Sequence, residues 1–177
     1  MTPTTRPVDA PTPRRTESGA VVLDWWCDLA CPDCADSVEI LDDLRDAVGD
    51  AVEVRLRHLP LPQHVWAVAA AQCQVEAAAQ GRGDEYAVHA LAALDTIDGP
   101  ADYVELAEHL GLDSDAVAEA LFDGRHAEAV RADHDHGRAL GVTTTPTFVV
   151  DGLLVDGDAT LDGVLDLLVA RVRAARG

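Results

Sequence analysis

The segment of this chain best equipped for chemistry is Cys31-Pro-Asp-Cys34. Two thiols separated by two residues sit one helical turn apart. Cys31 can therefore attack a disulfide, and Cys34 can then close on Cys31 to release the product. The attacking species is a thiolate. A helix N-terminus favours it, because the first turn presents unpaired N–H groups and roughly half a positive charge. Cys31, at the open end, is the candidate nucleophile and Cys34 the candidate resolving thiol. Pro32 fixes φ at the helix start and omits an N–H that would have no helical acceptor. Asp33 brings a carboxylate close to the Cys31 sulfur, and its charge opposes the thiolate.

The same sulfurs could instead hold a metal. Cys27-x3-Cys31-x2-Cys34 has the spacing of the radical-SAM iron–sulfur triad, and a closed zinc site is the other structural alternative. However, 177 residues with two early strands and a helical block do not build the barrel-type core of the radical-SAM enzymes. Asp33 also stands where an aromatic usually precedes their last cysteine. Cys73 shares a helical stripe with Trp66, Ala70 and Ala77 and reads as a small buried hydrophobe. Cys27 is inert, a third redox thiol, or a partner for Cys73. Asp133-His-Asp-His136 imitates a metal cluster, but positions i and i+2 of a helix point apart. A packed His134 and a solvated His136 are expected. His58 and His64 flank a turn and could line a substrate groove.

The elements that must position these residues follow from apolar periodicity. Ala20–Trp26 is a short, mostly apolar strand leading into the cysteines. Val38, Leu41, Leu44 and Val48 recur at helical spacing behind them, and Gly49 ends that helix. Residues 51–58 alternate, with Val52, Val54 and Leu56 on one face and charge on the other, as a half-buried strand does. Leu59-Pro-Leu-Pro62 stops it. Residues 64–140 read as a block of five helices: Val65–Gln80, Tyr86–Leu94, one ending at Gly111, one capped by Asp113 and ending at Gly124, and Arg125–Leu140. Thr147–Val150 and Leu153–Val155 flank an Asp151-Gly152 turn as a hairpin. Gly157-Asp158 opens a last amphipathic helix carrying Leu161, Val164, Leu165, Leu168 and Val172 inward. A β-α-β start implies two parallel strands, and the hairpin is antiparallel, so the class is α/β with a mixed sheet.

Composition narrows the partners. There are 32 acidic residues against 13 basic, giving a net charge of −19; every basic residue is arginine and 23 of the acids are aspartate. Such a field repels phosphate backbones and excludes nucleic acid as a partner. It serves solubility by repulsion or, as a halophile surface would, adaptation to molar salt. No apolar run approaches the roughly 18 residues of a membrane span. Residues 1–18 carry Pro3, Pro7, Pro11 and Pro13 and no apolar signal-peptide core, so they read as a flexible tail. With Met1 as the native start, a cytoplasmic protein is expected. In that reducing compartment cysteines are more often catalytic or metal-bound than structural.

Val21–Cys34, Arg57-His-Leu-Pro-Leu61 and Gly141-Val-Thr-Thr-Thr-Pro-Thr-Phe-Val-Val-Asp-Gly152 together resemble the DsbA-like thioredoxin-fold thiol–disulfide oxidoreductases. The matching segments lie within residues 20–175. The resemblance implies a thioredoxin-like domain, residues 19–63 and 141–177, interrupted by a helical insertion at 64–140. It implies disulfide exchange with Cys31 as nucleophile and Cys34 as resolving thiol, and no cofactor. It further implies a cis Pro146 lying opposite Cys31, with Thr145 and Pro146 offering backbone groups to the substrate. That substrate is a protein, or a low-molecular-weight thiol, bearing a thiol or disulfide. Two positions depart from the family. Trp25 stands where relatives often carry a buried acid that relays the second cysteine's proton, with Asp24 one position away on the other strand face. Thr144 replaces the usual glycine. A non-redox isomerase or conjugating enzyme of the same fold, and a Cys-ligated metal module, are the alternatives; the former generally lacks an intact CxxC.

Overall fold

Val21–Cys27 forms strand β2, and all seven of its residues are buried. An uninterrupted buried run, rather than an alternating one, marks a strand covered on both faces. The computed structural model describes residues 3–8, 15–156 and 161–176. Among these the sheet has five strands in the order β1-β5-β4-β2-β3: Thr5–Pro7, Leu153–Asp156, Thr147–Val150, β2 and Val52–His58. Strand β4 runs antiparallel to both neighbours, with Trp25 opposite Phe148 and Phe148 opposite Val155. Helix α1, Pro32–Val48, makes the crossover from β2 to β3.

The chain divides into two compact units. The first holds residues 1–27, 36–57 and 137–177, and the second holds 28–35 and 58–136. In the sheet unit, α1 buries Ser37, Ile40, Leu41 and Leu44, while Val38 and Val48 are only half-buried. The inward stripe is therefore turned slightly from the one the apolar residues suggest. Helix α7, Leu161–Arg176, buries Val164, Leu168 and Val172, with Leu165 half-buried. Its Gly157-Asp158 opening and the Leu161 side chain lie outside the described residues. Strand β3 is less orderly than its sequence: Val52, Val54 and Leu56 are half-buried, but so are Arg55 and Arg57. It forms an edge of the sheet, where neither face is fully covered.

One segment differs from the sequence expectation. Thr5–Pro7, assigned there to a flexible tail, pairs antiparallel with β5, and Arg6 donates to the Gly141 carbonyl. The unpaired edge of β5 supplies the hydrogen bonds that composition alone does not reveal. A terminal strand is also where a ladder tolerates Pro7.

The second unit is helical: α2 Ala67–Ala79, α3 Gly83–Ala92, α4 Pro100–His109, α5 Ser114–Asp123 and residues 127–136 of α6, Ala127–Leu140. Alanine-rich faces let these helices approach closely; Ala70, Cys73 and Ala77 are fully buried along α2. Asp113 caps α5 through Ala116 N–H at 3.0 Å, and Gly124 ends it at φ +66°. Beyond this unit, Gly137 of α6 meets Trp26 so closely that a Cβ would lie 2.7 Å from the indole. Among the described residues, no helix is long and apolar enough to cross a membrane.

Candidate active site

The CPDC turn, residues 28–35, groups with the helical unit rather than with the strand that precedes it. Cys31 N–H donates to the Asp28 carbonyl at 3.0 Å, and Cys34 N–H to the Cys31 carbonyl at 3.1 Å. These bonds fold the chain from strand into helix, leaving Cys31 just ahead of the first helical residue, Pro32. The N-terminal field of α1 therefore acts on the Cys31 sulfur. Pro32 and Asp33 are exposed. Cys31 itself is more enclosed than its place at the helix end suggests, at 4% exposure, and Cys34 is wholly buried. Both thiols are thus buried, Cys31 slightly less so than Cys34.

The residue that sequence reasoning missed is Asp28. Its carboxylate has no exposure, yet it stands at the mouth of the turn. One oxygen accepts from Ala30 N–H at 2.9 Å. The other accepts from Leu61 N–H at 2.8 Å and from His64 Nδ1 at 2.7 Å. Because a carboxylate only accepts, Nδ1 of His64 carries the proton. A buried charge must be compensated in this way, by hydrogen bonds that replace its water shell. The backbone N–H of Asp28 meanwhile donates to Cys34 Sγ at 3.4 Å. One signal in the sequence could have exposed it. An aspartate between the mostly apolar segment 20–27 and the apolar Leu29-Ala30 is poorly placed to reach water and must find donors.

His64 is therefore a partner of Asp28. His58 is buried, with Nε2 at 2.9 Å from Gln74 Oε1 and its N–H on Asp133 at 3.2 Å. It packs inside the helical unit instead of lining a surface groove. Asp24 is buried in β2, and its carboxylate accepts from Arg57 Nε at 2.9 Å. His134 and His136 are both half-buried, and His134 sits 3.3 Å from Asp135. Among the described residues, no three His, Cys, Asp or Glu side chains converge as a metal centre would require.

Cys27 and Cys73 are fully buried. Burial pushes the Cys73 thiol up to about 12 against a hydrogen bond with Tyr86 that pulls it down, so Cys73 is no thiolate at neutral pH. Tyr86 donates to the Tyr103 carbonyl at 2.8 Å and is itself pushed up, first by burial and then by Cys73. Tyr103 is pushed up to about 12 by burial and by the nearby Asp28 charge.

In the sheet unit, the Thr145–Pro146 peptide is cis and both residues are buried. Thr144, the departure from the family's glycine, has a use here: its hydroxyl donates to Asp156 Oδ1 at 3.1 Å. The single Thr147 hydroxyl proton is shared between the same oxygen at 3.1 Å and the Thr144 carbonyl at 2.9 Å. Asp156 thereby gathers the loop around the cis peptide.

The thioredoxin family's sequence model matches residues 16–169. Among solved structures, the oxidoreductase DsbA of Xylella fastidiosa is similar to this chain with a TM-score of 0.75 at 20% identity, covering 96% of this chain and 95% of that one. BdbD of Bacillus subtilis, in its oxidised form, gives 0.79 at 14% identity, covering 95% and 100%. These are likenesses of fold. Among curated sequences, the Na(+)/H(+) antiporter NhaA 3 of Salinispora tropica is 33% identical over 154 residues, covering 85% of this chain and 23% of the antiporter. NhaA 1 of Salinispora arenicola is 33% identical over 140 residues, covering 77% and 21%. The chain spans less than a quarter of the length of these two relatives.

Proposed function

The chain belongs to the thioredoxin family, and from that premise we propose that it is a thiol–disulfide oxidoreductase working through Cys31 and Cys34. The Cys31 thiolate attacks one sulfur of a substrate disulfide. The substrate S–S bond breaks, its other sulfur leaves with the electron pair and takes a proton, and a mixed disulfide remains. The Cys34 thiolate, its proton released to solvent, then attacks Cys31. The Cys31–Cys34 bond forms and the second substrate sulfur leaves. Two electrons pass from the protein to the substrate, and the reverse sequence oxidises a dithiol. The observation that carries this reading is the placement of CPDC, with Cys31 ahead of α1 and Cys34 in its first turn, buried against a peptide N–H. In this reading Thr145 and Pro146 offer backbone groups to the substrate peptide, as the family resemblance implies. The substrate is a protein, or a small thiol, with an accessible disulfide or dithiol.

The test is dithiol-linked insulin reduction by wild type and single variants. Cys31→Ala should abolish activity, Cys34→Ala should accumulate mixed disulfides with the substrate, and Cys73→Ala should keep the rate. A thiol titration should gain two thiols on reduction, with no metal released. Appreciable activity in Cys31→Ala would sink the assignment.

A further inference from the structure

We propose that Asp28 and His64 are positioning residues for the resolving sulfur: they hold the Asp28 N–H on Cys34 Sγ and compensate the carboxylate charge that would otherwise oppose a Cys34 thiolate. The proposal rests on the redox reading of Cys31 and Cys34 and deepens it. Three observations support it. Asp28 N–H lies 3.4 Å from Cys34 Sγ, and a peptide N–H donated to sulfur stabilises the thiolate more than the thiol or the disulfide. The residue supplying that N–H is clamped, since its fully buried side chain accepts from the Ala30 and Leu61 amides and the His64 ring. Finally, a buried negative charge on the residue whose N–H meets Cys34 Sγ disfavours a second one there, so the donors that spread it matter to the sulfur.

Of the three donors, His64 is the only side chain, and at 20% exposure the only one of the clamp's side chains that reaches solvent. Removing it has two effects of the same sign. The clamp loosens, and the Asp28 charge loses one of its two donors on Oδ2. Both disfavour the Cys34 thiolate, hence the reduced form. The couple then becomes more reducing, and the attack of Cys34 on a mixed disulfide slows. Tyr103, also near the Asp28 charge, belongs to the same buried cluster and is left untouched.

The experiment equilibrates wild type, His64→Ala, His64→Gln and His64→Asn with dithiothreitol redox buffers at one fixed pH and counts oxidised protein. An asparagine amide can occupy the place of Nδ1, whereas a glutamine amide lies nearer the far ring nitrogen. His64→Ala and His64→Gln should therefore shift the equilibrium toward the disulfide by roughly three- to tenfold, about 15–30 mV for a two-electron couple. Their mixed disulfides should persist longer, and His64→Asn should return most of the shift. Glutamine keeps the bulk of the side chain, so the comparison survives if the alanine variant does not fold. Equilibrium constants of His64→Ala and His64→Gln within twofold of wild type would overturn the proposal, as would an asparagine variant shifted as far as glutamine. A wild-type protein that does not titrate as a dithiol at all overturns the redox reading itself, a separate and recognisable failure.

Discussion

The two units bury different kinds of side chain. In the sheet unit the interior is large and apolar: Trp26, Phe148, Leu23, Leu154 and Leu168 are fully or almost fully covered. Its buried polar side chains are Asp24, which accepts from Arg57, together with Ser37, Thr145 and Thr147, whose hydroxyl bonds to the half-buried Asp156. The helical unit is packed with alanine, and the space that small residues leave is taken by Cys73, Tyr86, Tyr103, His58, Glu76 and the carboxylate of Asp28. Glu76 accepts from His126 at 2.7 Å, as Asp28 accepts from His64. The sheet unit is therefore held by contact area, and the helical unit to a greater degree by buried hydrogen bonds and ionisation states. The CPDC turn belongs to the second kind of environment, where a neighbour can move a thiol's properties without moving the fold.

The sharpest separation comes from one substitution made twice. Phe148→Ala removes a fully buried ring from the centre of the sheet and should cost about 3–5 kcal/mol in denaturant unfolding. Phe122→Ala, at a position 95% exposed in the helical unit, should stay within about 0.5 kcal/mol. Comparable losses would mean that Phe148 is not the core residue of the sheet unit that its burial indicates.

Alkali should act on the helical unit. Its folded form holds the Cys73 proton to about 12, whereas an unfolded thiol releases it near 9.0. Tyr86 shifts in the same direction. Below the unfolded value both states are protonated and stability is unaffected. Between the two values the folded state binds more protons, so stability must fall as pH rises. The expected loss is on the order of a few kcal/mol in urea midpoints between pH 9 and 11. Cys73→Ala should flatten part of that limb. An alkaline limb as steep in this variant as in wild type would assign the sensitivity elsewhere.

Salt should not distinguish the units, because both carry exposed acids, as at Asp42 and Asp43 on α1 and Asp115 on α5. At a net charge of −19, screening over roughly 3 Å at 1 M should raise the melting temperature from low salt into molar KCl by several degrees. A midpoint that ignores or falls with KCl removes adaptation to salt and leaves solubility as the reason for the acidity.

The smallest effect is at the dipeptide between the two cysteines. Asp33 is exposed and close in sequence to Cys31, and no cation in the CPDC turn offsets it. The couple is accordingly expected on the reducing side of DsbA's roughly −120 mV. Asp33→His should make it more oxidising by up to about 30 mV, the equivalent of one pKa unit. A potential as high as DsbA's in wild type, or no upward shift in the variant, would show that Asp33 does not tune the pair.

The order of elements was legible because it depends on periodicity and breakers that act within a few residues. The buried run 21–27, Pro32 at the start of α1, the Asp113 cap and Gly124 each state their role locally. The placement of the cysteine pair at a helix start was legible for the same reason, since Pro32 and the apolar spacing behind it act locally. What only the tertiary structure decided depends on partners far away in the chain. Thr5–Pro7 becomes a strand because β5, almost 150 residues later, has an edge to fill. Gly137 is required because Trp26 crosses it. Asp28 is the clearest case. Its environment is made by Leu61 and His64, more than thirty residues on, and its effect on Cys34 by a hydrogen bond from its own backbone. Burial and hydrogen bonding are properties of the assembled fold. A carboxylate in sequence therefore shows its charge, but not which donors will surround it.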